Sequence, residues 1–495
     1  MAMRQLHLIT VILVSSCILL SGCAMQRRSA SAPPLAVTGV TLIDVRATSP
    51  EQARVAGRTV LVENGVITAV GASASMNLPP DTKVIDGRGK FLVPGLWDAH
   101  VHLGTFGESA LPLLVAEGVT SVRDMGGDPS PLKTWRASIE RRDVAGPQIF
   151  ITGRIVEGAW WLDRIAKAAQ TDPVLSAFPF LEIAPRERLS SASDAARAVS
   201  KVRSQGIDLI KFRNLRTDEF NAVAAEAKKA GLLLTGHSPR STPPSQAAEA
   251  GMTSIEHMET VTLALGDKPD SERSKEFARM AAAGTGITAT LITDVAYRQT
   301  PDARAFAIIE DTANRLDPRR RFLSGRALAA WRFGLDVKKL EAGSTTDHAQ
   351  LHQRQLSDLR LARAAGVPIL IGTDLTVSLI YPGSSVYEEM RYLVAKGGLS
   401  PFEALKGATL YPAQAMQLAN QGHVATGARA DLVLLNRDPV LAVPDATSID
   451  AVVLNGRLLK KRDLNRLREE SARLAFRDRV YRPRVKPVSS SAAPK

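Results

Sequence analysis

Disulfide bonding is the first thing this sequence lacks the means for. Among 495 residues there are two cysteines, Cys17 and Cys23, and both lie in a segment that reads as a targeting signal. A body without cysteine rests on its core alone, and this length suffices for a large core plus a small second domain. The N-terminal apolar run, Ile9 to Leu20, would rise about 18 Å as a helix, too short for a hydrocarbon layer of roughly 30 Å. It fits a signal h-region better than a membrane span. Aromatic residues make up only 5% of the chain, which leaves no stacking platform for nucleic acid despite a net charge of +13. That charge is concentrated: Lys460 to Lys495 carries twelve Lys and Arg against four Asp and Glu. Residues 463–495 read as a basic helical or disordered tail, solvated or touching anionic lipid headgroups.

Arg4 precedes the apolar run, and Leu20-Ser21-Gly22-Cys23 follows it. The latter resembles the processing motif of bacterial lipoproteins. Residues 1–23 are therefore expected to be a signal peptide, with Cys23 the lipidated first residue and the membrane a partner through that anchor. Residues 24–35, rich in Ser, Ala and Pro with Arg27 and Arg28, read as a tether. Ala24 is similar to sorting signals for the outer membrane, so the expected location is its periplasmic side.

Residues 36–95 read as short strands, with Asn64-Gly65 a two-residue hairpin turn. Residues 421–462 repeat the pattern, with a strand at Ala430–Leu435 and a hairpin around Asn455-Gly456. The two pieces are expected to form one small β-sandwich, with the middle of the chain inserted in it. That middle, 96–420, repeats a unit in which a helix ends in Gly and an apolar strand begins. The glycines are Gly118, Gly206, Gly231, Gly251, Gly284 and Gly366. The expected strands are Leu96–Leu103, Val119–Met125, Gln148–Arg154, Ile207–Arg213, Leu232–Ser238, Thr253–Glu259, Ile287–Thr293 and Val367–Leu375. Alternation with helices points to a (β/α)8 barrel. An open doubly wound sheet would usually carry a Gly-rich phosphate loop after its first strand, and none is present. Two long connections, 155–190 with Trp160, Trp161, Phe178 and Phe180, and 294–350 with Tyr297, Arg319-Arg320-Arg321 and Trp331, follow strands. They read as lids or pocket walls.

The chemistry centres on Asp98-Ala99-His100-Val101-His102. Alternate strand residues share a face, so His100 and His102 project together and can hold one metal ion. Lys211, His237, His257 and Asp374 lie at or near the ends of the fourth, fifth, sixth and eighth expected strands. Each alone has an ordinary explanation, as a structural histidine, a surface lysine or a helix-capping aspartate. Together they converge only if the chain closes as a barrel. His348 and His352, four apart in the long insertion, have no third ligand near them in sequence and are read as structural.

In this order, His-x-His, Lys, His, His, Asp, the residues resemble those of the amidohydrolase superfamily of metal-dependent hydrolases. The stretches Gly118–Gly127 and Gly427–Leu435 are similar to its binuclear, prolidase-like branch, and the resemblance covers about residues 36–460. It implies two divalent ions, with Zn²⁺ the first choice. His100, His102 and Asp374 would hold one and His237 and His257 the other, bridged by Lys211 after it adds CO2 as a carbamate. It further implies a metal-bridging hydroxide that attacks the substrate carbonyl, with Asp374 moving the proton to the leaving group. The mononuclear deaminases of the superfamily lack the lysine and place a glutamate where this chain has Arg240, which argues against deamination.

The resulting expectation is a metal-dependent amidohydrolase acting on a small-molecule substrate, a dipeptide or an N-acyl amino acid. Lactone or phosphotriester hydrolysis at the same metals is one alternative. A metal-free surface binding protein is another, although no ligand of the set is missing. A free carboxylate next to the cleaved amide is expected to be gripped by arginine, whose planar fork matches it. Arg240 is the first choice, ahead of Arg123 and Arg213. A pair with Asp124 is the competing role for Arg123, and a solvent-facing position the one for Arg213.

Overall fold

In the computed structural model, residues 33–171, 185–239, 241–340 and 347–480 are described. Cys23, most of the tether, Phe178, Phe180, Arg240 and the last fifteen residues lie outside them. The chain begins with β1 (Leu35–Ile43), β2 (Arg54–Glu63), β3 (Val66–Ala72), β4 (Lys83–Asp86) and β5 (Phe91–Pro94). Asn64 at φ 51° and Gly65 at φ 81° make the left-handed pair that turns β2 into β3. Strand β1 is antiparallel to β2 on one edge. Its other edge pairs with β4 over Leu35–Thr38 and with β5 over Thr41–Leu42. The change of partner falls around Gly39, at φ 71°, and lets one sheet part over its own apolar core.

The barrel follows: β6 (Leu96–Val101), β7 (Val119–Asp124), β8 (Gln148–Ile151), β9 (Ile155–Gly158), β10 (Arg186–Leu189), β11 (Leu209–Arg213), β12 (Leu233–Gly236), β13 (Met252–Glu256), β14 (Gly286–Thr288) and β15 (Ile369–Leu370). All eight expected strands are present, and every neighbouring pair among them is parallel. The ring is completed at two seams. Asp208 N donates to Ile151 O at 2.9 Å, joining β8 to the start of β11. Ala99 N donates to Ile371 O at 2.9 Å and Asp374 N to His100 O at 2.8 Å, joining the last strand to the first. The six glycines expected to end helices all have positive φ, between 65° and 102°.

The third strand is shorter than expected. It stops at Ile151, and residues 155–189 add β9 and β10 at the mouth, where β9 pairs with the end of β11. In the second insertion Tyr297 reaches the mouth, but Trp331 is fully buried against Tyr381, a core residue rather than part of a lid.

The chain returns to the first sheet with β16 (Leu432–Leu435), β17 (Ile449–Leu454) and β18 (Arg457–Lys460). Strand β16 lies antiparallel to β5, so the two ends of the chain share one eight-stranded sheet. Leu35, Val37, Val60, Ile67, Leu432 and Val453 are among the residues of its core.

The reading of the tail as solvated needs correction for its first part. Lys461–Val480 is a helix docked along the barrel against the helix Ala110–Ala116. Leu464, Ser471 and Ala475 are buried. Ser471 Oγ donates to Ser109 O at 2.7 Å, and Arg468 reaches Glu117 at 3.0 Å and Ala116 O at 2.9 Å. A helical stripe of Leu464, Leu467, Ser471 and Ala475 provides the contact face. The arginines around it conceal that stripe when only composition is read.

Candidate active site

Parallel strands deliver their C-terminal residues to one end of the barrel. There the rings of His100, His102, His257 and His237 form a chain. Centroids are 5.5 Å apart for His100 and His102, 4.6 Å for His100 and His257, and 4.9 Å for His237 and His257. Asp374 Oδ1 lies 3.3 Å from His102 Nε2 and 3.6 Å from His100 Nε2. Lys211 Nζ is 3.2 Å from His100 Nε2. All six residues predicted as ligands thus meet in one place. His102, Lys211, His237, His257 and Asp374 line a cavity of about 290 Å³, and His100 is buried behind them.

The opposite ring nitrogens are occupied. His100 Nδ1 is 2.8 Å from Glu256 Oε2, His102 Nδ1 is 3.1 Å from Gly126 O, and His257 Nδ1 is 2.8 Å from Thr290 Oγ1. A carbonyl and a carboxylate only accept, so Nδ1 of His100 and His102 carries a hydrogen and Nε2 is the nitrogen that faces Asp374. Metal-binding histidines are commonly oriented through their second nitrogen in this way. Burial, aided by Lys211, pushes the His100 imidazole well below its ordinary range, and burial with Arg213 does the same to His237. Burial pulls Asp374 upward, but the surrounding histidines win and hold it well below the usual carboxylate range. Imidazole nitrogens and a carboxylate are a donor set that suits divalent metals, and His100, His102 and Asp374 offer atoms all within 4.8 Å of one another. The residues fit the group.

The backbone under two of these residues is strained. His257 has φ 67° and Asp374 φ 53°, both left-handed. Such conformations cost on the order of 1–3 kcal/mol each for a residue with a Cβ and cluster at functional sites. Asp98 stabilises the Asp374 turn, accepting from Thr373 N at 2.9 Å and Thr373 Oγ1 at 2.6 Å.

Arg123 is not a substrate residue, and the expectation is corrected here. Its side chain is 1% exposed, beneath the histidines. It donates to Glu256 Oε1 at 2.7 Å, Ser254 Oγ at 2.8 Å, Thr288 Oγ1 at 3.0 Å and Ala99 O at 2.8 Å. Its ion-pair partner is Glu256 rather than Asp124. Glu256 also accepts from Thr235 and Ser254 at 2.7 Å. Burial alone would raise this carboxyl, but Arg123 and the hydroxyls outweigh it. Sequence reasoning missed Glu256 as the support of His100. The signal was present, since Ser254 and Glu256 alternate toward the barrel interior. Asp98 was legible on the same ground, sharing the face of His100 and His102.

Arg213 sits where Arg123 does not. It lines the cavity, with its side chain 25% exposed, and its Nε is 3.9 Å from Glu157, whose carboxylate lies closer to Arg186 at 3.2 Å. Arg240 is outside the described residues. Glu259, Thr260, Thr293, Asp294, Tyr297, Arg298 and Val377 complete the lining. Asp294, Tyr297 and Arg298 belong to the second long connection, read from the sequence as a lid or pocket wall; Glu259, Thr260, Thr293 and Val377 had not been singled out. All but Val377 come from short helices that begin directly after the sixth and seventh strands, where no strand alternation fixes direction.

The sequence profile of the amidohydrolase family matches residues 91–459. The chain belongs to that family. An imidazolonepropionase from Psychromonas ingrahamii is 24% identical over 418 residues, 75% of this chain and 85% of the relative. Among solved structures, bottromycin amidohydrolase superposes with a TM-score of 0.64 at 24% identity, covering 91% of each chain. A Xaa-Pro dipeptidase with methionine bound in its active site gives 0.61 at 19% identity, covering 86% of this chain and all of that one. At these identities the structural likeness establishes the fold: an amidohydrolase barrel with its associated β-sandwich.

Proposed function

We propose that this amidohydrolase cleaves an amide bond in a small substrate that carries a free carboxylate, a dipeptide or an N-acyl amino acid. The observation that carries the reading is the convergence of His100, His102, Lys211, His237, His257 and Asp374 at one barrel mouth. The likeness to a dipeptidase binding methionine, a free amino acid, agrees with it. His100, His102 and Asp374 would hold one divalent ion, His237 and His257 a second, with Lys211 between them as a carbamate. When bound, the ions would supply Lewis acidity to the scissile carbonyl and lower the pKa of an attacking water.

The remaining steps fall to side chains of this chain. Burial lowers the Lys211 amine to about 7, against the partial opposition of Asp374. An unprotonated amine is the form that adds CO2. Asp374, held ionised, accepts a proton from the attacking water and returns it to the departing nitrogen. Arg213 receives the carboxylate at the rim, with Arg240 the alternative. Glu256 and Asp98 hold His100 and the Asp374 turn through these changes.

The test is hydrolysis of a dipeptide and N-acyl amino acid library by purified protein, with metal content measured in parallel. Turnover with close to two divalent ions per chain is expected. Absence of amide hydrolysis alongside turnover of lactones or phosphotriesters would replace the reading. We also propose that Cys23 carries the lipid anchor, on the strength of the motif before it. Labelled fatty acid should enter the natural protein and not Cys23→Ser.

A further inference from the structure

The helix Lys461–Val480 has two faces, and packing uses only one. Leu464, Leu467, Ser471 and Ala475 turn inward on the barrel. With 3.6 residues per turn, Arg462, Arg466, Glu469, Arg473, Phe476 and Arg477 share the opposite side. All six are exposed. At 1.5 Å per residue the face is about 22 Å long.

Four of the six are arginines, and the one acid among them is already engaged. Glu469 Oε1 lies 3.2 Å from Arg321, a further exposed arginine. On the flanks Asp463 pairs with Arg466 at 3.7 Å, and Glu470 pairs with Arg473. Arg462 and Arg477 have no ion-pair partner among the described residues. Phe476 stands beside these charges at 60% exposure. A bare phenyl ring and two unpaired guanidinium groups on one helix face contribute nothing to packing. Residues 481–495 continue the charge, with Arg482, Arg484, Lys486 and Lys495 and no acid.

We infer that this outward face docks on a bilayer containing anionic phospholipid. The arginines meet the headgroup phosphates, and Phe476 enters the apolar layer beneath them. Each basic side chain at such a surface strengthens binding roughly 5-fold. Phe476 distinguishes a bilayer from a nucleic-acid backbone, since only the bilayer offers hydrocarbon under its charges. The face acts by itself; a lipid on Cys23, as proposed above, would add to it. The helix lies along the flank of the barrel, from β18 to Ser109 beyond the end of β6. A bilayer on that flank leaves the mouth open to water.

The test uses the unlipidated Cys23→Ser protein and its cosedimentation with vesicles, either of phosphatidylcholine alone or with phosphatidylglycerol added. Whatever residues 1–23 contribute is common to every variant. Binding should rise about 10-fold or more with the anionic lipid and fall as salt is added. Joint replacement Arg462→Gln, Arg466→Gln and Arg477→Gln should abolish most of that rise. Joint replacement Arg88→Gln, Arg141→Gln and Arg188→Gln, at exposed arginines elsewhere, matches the change in net charge and should preserve it. Equal loss in the two triple variants would overturn the assignment to this face. Phe476→Trp should show an emission shift to the blue on anionic vesicles that the parent protein lacks. Bound protein without that shift would overturn entry of the ring. No preference for anionic vesicles in the parent protein, or a face that binds a single-stranded oligonucleotide and no vesicle, would overturn the inference as a whole. Amide hydrolysis stands or falls separately.

Discussion

The floor of the site and its mouth use the same residue types to opposite ends. On the floor, Arg123 and Glu256 are ion-paired at 2.7 Å with exposures of 1% and 0%. Their other side-chain hydrogen bonds end on a hydroxyl, a carbonyl or His100. At the mouth, Arg298, Glu259 and Asp294 form pairs of similar length, yet their side chains stay 9% to 34% exposed along the cavity. A closed network fixes geometry and has no capacity left for a ligand. An open one leaves its charged groups within reach of a ligand. Proximity to the metal candidates therefore does not tell a supporting arginine from a binding one; the completeness of its hydrogen bonding does.

The sharpest way to break the floor is Glu256→Leu. It strands the buried guanidinium of Arg123 and frees His100, with an expected loss of about 3–5 kcal/mol. Thermal unfolding should show the loss, and elemental analysis should show metal falling with it. A variant as stable as the natural protein would show that the network is not the support described. Next in size is Lys211→Ala, expected to lose all measurable activity while the fold survives. Short carboxylic acids should rescue part of it by taking the place of the proposed carbamate. Full activity without them would exclude a bridging role for Lys211.

Arg213→Ala acts only at the mouth. Loss of a charge-assisted contact of about 2–4 kcal/mol lowers kcat/KM roughly 30- to 1000-fold. Metal content should be unchanged, and an amidated substrate should be affected far less than its carboxylate parent. If both substrates lose equally, the carboxylate is held elsewhere.

A smaller effect comes from pH. The Lys211 amine, lowered to about 7 by burial, is unprotonated above that pH and cationic below it. Metal-free protein should therefore take up labelled CO2 at pH 8 and release it at pH 6, as read by carbon NMR. Uptake that rises toward acid would contradict the sign. The smallest effect belongs to a site remote from both regions. Arg468→Ala, at the docked C-terminal helix, should cost about 1 kcal/mol by unpairing Glu117. Activity should remain.

The barrel and the shared sheet were legible because helix-ending glycines and period-two strands mark the elements directly. The six metal candidates were legible because strand ends fix their direction. Arg123 was misread because a place near a strand end gives direction but not partners, and Glu256, Ser254 and Thr288, which take up its guanidinium, come from strands more than a hundred residues later. Glu256 was overlooked beside the more conspicuous His257. His352 was set aside because its partner Asp294 is 58 residues away, brought near only by the folding of an insertion. The buried stripe of the C-terminal helix was hidden by the arginines around it.

The pairing of β5 with β16 also has a consequence in time. Strands β1 to β5 are synthesised first, but the outer edge of β5 waits for a partner that lies beyond the whole barrel. At about 5–20 residues per second, translation leaves that edge open for tens of seconds. Leu92 and Val93, wholly buried in the finished protein, are on the waiting strand. The barrel must form before its own platform is complete, and β16 closes the sheet as a late, long-range event. A nascent chain cut short before Leu432 should therefore be the species most prone to join its β5 edge to that of another copy.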